Sequence, residues 1–248
     1  MIVLKSKREI EIIRANGRIV AQTLKMIGEN IKPGLKTKEL DHLAKEFITQ
    51  NQAQPAFFGY KGFPANICVS INEEVVHGIP DERELEEGDI VSVDVGVFKN
   101  GYYADGAYTY TVGKVSPEAL KLIEVTRSSL YKGIEACKVG ANLFVISYVI
   151  QTYVEANGFQ VVRELVGHGI GQNMHEEPQI PNYGNKGEGP ILEEGMVLAI
   201  EPMVNQKTFE VKTKEDQWTV VTADGSLSAH FEHTVALTAN GTEILTTL

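Results

Sequence analysis

The chain has 248 residues, 33 of them acidic and 23 basic, for a formal charge of −10, and is long enough to bury one sizeable core. Apolar residues at 43% and charged residues at 23% are the balance of a globular protein and exclude a disordered tail. An acidic excess without a basic face argues against a nucleic-acid partner, and apolar runs as short as Met196–Ile200 fall far below a membrane span.

Met1–Glu11 turns polar after Leu4 and has no secretory core, and Cys68 and Cys137 allow at most one disulfide. Both point to the cytoplasm with reduced thiols. Ser6-Lys7-Arg8-Glu9 has capping-box spacing ahead of Ile10, Ile13, Gly17, Val20, Leu24 and Ile27, so a helix is predicted that ends before Lys32-Pro33-Gly34. Thr37 opens a second helix, with Leu40, Leu43, Phe47 and Ile48 on its apolar face. Ile67–Ile71 reads as a short strand, Ile90–Phe98 as an alternating strand, Asn100-Gly101 as a hairpin turn and Tyr102–Val112 as its return strand. Ser116-Pro117 starts a helix running towards Cys137, and a fourth helix spans Asn142 to Asn157 before Gly158. Beyond it, Phe159–Val166 reads as a strand and 167–190 as a long glycine-rich stretch. Met196–Val204, Trp218–Thr222 and Leu227–Leu237 read as antiparallel strands, the last two joined across Ala223-Asp224-Gly225. Two helices followed by strands therefore occur twice, predicting two similar halves in one α+β unit, although the residues do not repeat and no linker divides the chain.

Charged groups interrupt these strands where a core is expected. With a two-residue turn at Asn100-Gly101, Asp94 faces Ala107, and Asp105 lies diagonal to it on the same face. Two carboxylates so placed repel, and either a proton or a cation between them removes the problem. A competing reading makes Asp105-Gly106 the turn and leaves Asp94 facing solvent. Glu201 lies in the apolar run 197–204, and His230 and Glu232 share one face of their strand. Gly167 and Gly169 flank His168 with residues that allow close backbone approach, whereas His77 and His175 are less marked and His42 sits on a charged helix. Four carboxylates and one imidazole suit Mn, Fe(II) or Co, with Zn compatible, and they exceed what one ion needs. A shared two-metal site for hydrolysis follows. Position 179 is Gln, so no His-Glu-x-x-His occurs, and neither a dinucleotide fingerprint, a P-loop nor a Gly-x-Ser-x-Gly elbow is present.

Asp94 and Asp105, the run Gly167-His168-Gly169-Ile170-Gly171, His175-Glu176-Glu177-Pro178, Glu201-Pro202 and Glu232-His233 resemble the type I methionine aminopeptidases over essentially the whole chain. The resemblance implies the α+β pita-bread (creatinase/aminopeptidase) fold, with pseudo-two-fold halves around a central antiparallel sheet, and a single catalytic aminopeptidase domain over residues 1–248. It implies removal of the initiator methionine from nascent chains whose second residue is small. Asp94 would chelate one ion, His168 and Glu201 the other, and Asp105 and Glu232 would bridge both. His175 would stabilise the tetrahedral intermediate, His77 would stand near the amide being cut, and Glu201 would also move a proton. Phe57, Tyr60, Phe63, Cys68, Met174 and Trp218 would line the methionine pocket, whose soft aromatic surface suits a thioether. Phe63, Met174 and Leu165 depart from the residues commoner there, which bears on pocket shape and leaves the metal ligands untouched. Only 31 positions separate Glu201 from Glu232, too few for the helical insertion of type II enzymes, so the short bacterial form is expected. The implied partners are nascent peptides and, as a candidate, the ribosome, with the chain a monomer. X-Pro aminopeptidases and prolidases share the implied fold and are the nearest rival; a non-catalytic module of the same fold is a second.

Overall fold

The computed structural model describes residues 1–248. Helix α1 (Lys7–Asn30) begins at the predicted cap, where the Ser6 side chain accepts the Glu9 N–H and the Glu9 carboxylate accepts the Ser6 N–H. Helices α2 (Thr37–Gln50), α3 (Pro117–Ala136) and α4 (Phe144–Ala156) lie where the sequence predicts them, and Ser116 caps α3 with Pro117 in its first turn. The strand Ile90–Lys99 pairs with Tyr102–Thr111 in the predicted register, Asp94 opposite Ala107 and Gly96 opposite Asp105. Asp105 is therefore inside a strand, and the Asp-Gly turn reading is excluded.

These two strands belong to a wholly antiparallel main sheet. On one side Ile90–Lys99 pairs with Gln54–Pro55 and Cys68–Ile71; on the other, Tyr102–Thr111 is followed in order by Glu232–Thr238, Val197–Ile200, Val166–Gly169 and Glu176–Pro181. Gly241–Ile244 pairs with Glu232–Thr238. One cluster of 23 buried residues packs α1 and α2 against the first half of the sheet, and a second cluster of 23 packs α3 and α4 against the other half. The matched cores express the two-half plan predicted from element order.

Three predicted strands prove to be divided. Phe159–Val166 is paired only at Gln160–Val161, in a small sheet, and again from Val166 onward in the main sheet. Met196–Val204 breaks at Glu201-Pro202 because proline has no N–H to continue a ladder: Val197–Ile200 stays in the main sheet and Met203–Asn205 joins the small one. Leu227–Leu237 divides at Phe231 for the matching reason, its segments Ser228–His230 and Glu232–Thr238 following those same two partners. The register is nevertheless continuous across the break, His233 opposite Ile200 and His230 opposite Met203. No hairpin forms across Ala223-Asp224-Gly225. Only Val220–Thr222 of the predicted strand is extended, and it pairs with Val211–Thr213 and Glu74–Val76 in a third sheet. The Thr222 hydroxyl donates to the Ser226 carbonyl and the Asp224 carboxylate accepts the Ser226 N–H, turning the chain away. The stretch 167–190, read from sequence only as glycine-rich, contains most of the strand pair that carries His168. No helix is long and apolar enough to cross a membrane.

Candidate active site

The sheet register assembles the site. Asp94, Ala107 and Glu232 form one row across three strands, and the continuous register places Glu201 beside Glu232 at the point where both chains leave the main sheet. Asp105 stands two residues from Ala107, and His168 pairs with Ala199, two residues before Glu201. Side chains two apart on a strand share a face, so all five predicted ligands project together. Gly167 and Gly169 belong here for packing: a Cβ on Gly167 would lie 2.4 Å from the Ala199 carbonyl oxygen, and one on Gly169 would lie 2.2 Å from that of Glu177. The close approach inferred from these glycines is thus to neighbouring backbone rather than to a ligand.

The electrostatics demand positive charge or protons among these groups. Asp105, His168 and Glu232 each offer a ligand atom, all within 4.8 Å of one another. Burial, then the neighbouring acids, holds the carboxyls of Asp94, Glu201 and Glu232 well above the usual carboxylate range. Burial raises Asp105 to about 6, against the opposing hydrogen bond from Thr234. Asp94 Oδ1 is buried without a hydrogen-bond partner. His168 Nδ1 lies 2.9 Å from the Gly169 carbonyl, which requires the proton on Nδ1. The Nε2 lone pair then faces Asp105 Oδ2 at 3.6 Å and Glu201 Oε1 at 3.4 Å. A lone pair and two carboxylates in one buried space are compatible only with protons or positive ions among them. The donor set, four oxygen donors and one imidazole, fits divalent metal ions.

An open cavity of about 280 Å³ lies over this cluster, and all thirteen predicted site residues line it. Phe57, Phe63, Cys68 and Trp218 pack in one apolar cluster, with the Phe63 and Trp218 rings edge-on at 5.1 Å. Burial drives the His175 imidazole down to about 4, and its Nδ1 lies 2.8 Å from the Tyr60 hydroxyl. His77 has φ 59°, a left-handed conformation costly for a side chain that is not glycine, which the fold maintains at the cavity wall. His42 pairs with Glu46 on exposed helix surface, outside the site.

Several site residues were not anticipated. Lys61, Val76, Glu164, Val166 and Met203 also line the cavity. Thr234 is fully buried opposite Asp105. Its hydroxyl accepts the Asp105 N–H at 3.1 Å and lies 3.0 Å from Asp105 Oδ1 and 2.8 Å from the Asp105 carbonyl, as donor. Nothing in the local sequence marks it, because its partner is 129 residues away. His230 is buried with Nε2 3.8 Å from Glu201 Oε2 and unpaired, and burial drives it down to about 3.

The sequence profile of metallopeptidase family M24 matches residues 11–239. Methionine aminopeptidase 1 of Bacillus subtilis (strain 168) is 56% identical over 246 residues, covering 99% of each chain. The crystal structure of methionine aminopeptidase from Thermotoga maritima superposes with a TM-score of 0.99 at 48% identity over the full length of both chains. Prolidase from Pyrococcus horikoshii OT3 has a TM-score of 0.81 at 24% identity, and this chain covers only 63% of it, a likeness of fold alone. Carboxylates and an imidazole gathered at the centre of a two-halved antiparallel sheet, with this extent of likeness, establish the pita-bread fold and the lineage: the chain belongs to metallopeptidase family M24 and, within it, to the methionine aminopeptidases.

Proposed function

We propose that the chain is a metal-dependent aminopeptidase that hydrolytically removes the initiator methionine from nascent proteins when the second residue is small. The observation that carries this reading is the cavity itself, where a cluster of buried carboxylates and histidine adjoins a soft aromatic recess within one space. Such a recess favours a thioether side chain and fixes the first peptide bond over the acidic cluster.

In this reading Asp94 and Asp105, His168, Glu201 and Glu232 hold two divalent ions, Mn, Fe(II) or Co, with Zn compatible. Asp105 and Glu232 would serve both ions, Asp94 one of them, and His168 with Glu201 the other. When bound, the ions supply Lewis acidity to the scissile carbonyl and acidify the attacking water. Glu201 carries the proton from that water to the departing amine, completing addition of water across the amide. His175 is neutral, and with Nδ1 occupied by the Tyr60 hydroxyl it offers its Nε2–H to the carbonyl oxygen as negative charge develops there. His77 stands at the amide nitrogen. Phe57, Tyr60, Phe63, Cys68, Met174 and Trp218 enclose the methionine side chain. The 248 residues act as one catalytic domain, as a monomer in the cytoplasm, on peptides at or near the ribosome; the free cysteines Cys68 and Cys137 accord with a reducing compartment.

Mass spectrometry of Met-Ala-Ser and Met-Lys-Ser peptides, incubated with Mn or Co and again with a chelator, tests this directly. Methionine is expected to leave the first peptide only, and chelation to abolish its loss. Cleavage of an Ala-Pro substrate instead of either peptide would replace this reading with the X-Pro one.

A further inference from the structure

Lys5 is the last residue before the α1 cap, and its side chain is only 4% exposed, a degree of burial that lysine reaches only when paired. Its ammonium is 2.6 Å from Glu176 Oε2, on a side chain 9% exposed, and donates to the Val3 carbonyl at 3.0 Å. The other oxygen of Glu176, Oε1, accepts the Asn173 N–H at 3.0 Å. Glu176 thereby closes a turn whose two inner residues are Met174 and His175. The backbone around the pair is built for it. The Lys5 N–H donates to the Gly195 carbonyl at 2.7 Å, and a Cβ on Gly171 would lie 2.5 Å from Lys5 Cε and 2.9 Å from Glu176 Oε1. The pair joins the N-terminus of a first-half helix to the first residue of the second-half strand Glu176–Pro181, 171 positions away.

A buried ion pair adds little net stability over an apolar pair of similar volume, and its best-attested use is to specify one arrangement among several. We propose that Lys5 is a positioning residue: by pinning Glu176 it sets the turn from Asn173 to Glu176, and with it the place of His175 against the scissile carbonyl and of Met174 against the substrate's methionine. This rests on the role given above to His175. Displacing a group at the reacting centre by about 1 Å costs up to about 100-fold in rate, so a loosened turn is read in kcat.

The test compares Lys5→Met, Glu176→Gln, their double variant and His175→Ala on Met-Ala-Ser, with metal content and unfolding midpoint measured on each protein. Lys5→Met should lower kcat about tenfold, with KM shifted less than about threefold, metal content unchanged and the midpoint still above the assay temperature. The double variant should be no slower than Lys5→Met, because both changes break one pair. A lowered midpoint with unchanged kcat would make the pair purely structural and overturn the proposal, as would loss of metal from Lys5→Met. If Lys5→Met does not fold, Glu176→Gln decides: it keeps the shape and the Asn173 contact, and a fall of about threefold or more in kcat with metal retained supports the proposal, whereas unchanged kcat overturns it. His175→Ala separates the two claims, since normal kcat there would remove the role of His175 whatever Lys5 does.

Discussion

Asp105 answers to two demands: the proposed metal site would use its carboxylate, and Thr234 grips its backbone and Oδ1 from the adjoining strand. Each contact makes a separable prediction. Asp105→Asn removes a negative donor shared by both proposed ions, so calorimetric metal titration should show fewer than two ions bound, with turnover lost in parallel. Near-normal turnover in that variant would sink the bridging role. Thr234→Val keeps the volume and removes only the hydroxyl, so Asp105 retains its charge but loses its orienting partner. Metal affinity should fall about 10- to 100-fold with stoichiometry intact, the usual effect of removing a group that orients a ligand. The Asp94–Asp105 pair was legible in the sequence because a two-residue hairpin sets register by arithmetic. Thr234 was not, because pairing between distant strands leaves no local mark.

Strands supply four of the five proposed metal ligands and a strand break supplies Glu201, so the breaks are part of the proposed site. Glu201 lies where Pro202 ends the main-sheet ladder, and Glu232 starts the strand that resumes it, so both carboxylates sit at the seam between two sheets. Sequence alternation saw two long strands here, since apolar character continues across the seam while hydrogen bonding changes partner. Gly167 lets the His168 strand lie against Ala199, and Gly169 lets it lie against Glu177. Gly167→Ala would place a methyl 2.4 Å from the Ala199 carbonyl oxygen, and fixed backbone yields poorly. A loss of about 1–3 kcal/mol in urea unfolding is expected, with metal affinity weakened because His168 must move with its strand. Unchanged stability and affinity would show that the strand pair tolerates a wider spacing.

The two halves are joined away from the site by charged groups as well as by the sheet. Glu74, 2% exposed, receives both terminal nitrogens of Arg83 at 2.9 Å and the Lys214 ammonium at 2.6 Å across 140 positions. Burial opposes its ionisation, but the hydrogen bonds from Arg83 and Lys214 prevail and hold its carboxyl below the usual range. A carboxyl with a lowered folded pKa adds stability above its unfolded value, and that stability is lost as pH falls through the folded one. Glu74→Gln should therefore cost about 1–3 kcal/mol near neutral pH, the usual worth of hydrogen bonds to a charged group. The difference from the parent protein should shrink below about pH 4.5, as the carboxyl of the unfolded parent takes up a proton while that of the folded protein still resists it. Paired unfolding curves at pH 7 and pH 3.5 measure it, and a difference independent of pH would mean that packing rather than charge supplies the effect.

What the sequence by itself determined is local or periodic in origin. Helix caps, the Asn100-Gly101 register and apolar spacing depend on residues within a turn or two of one another; the four candidate carboxylates stood out as charges inside strands, and His168 by its flanking glycines. Only the tertiary structure decided which strand segment joins which sheet, that Glu201 adjoins Glu232, that Thr234 orients Asp105, and that Lys5 closes on Glu176. These contacts span tens to hundreds of positions, where steric fit and the satisfaction of buried polar groups select partners that no local pattern encodes.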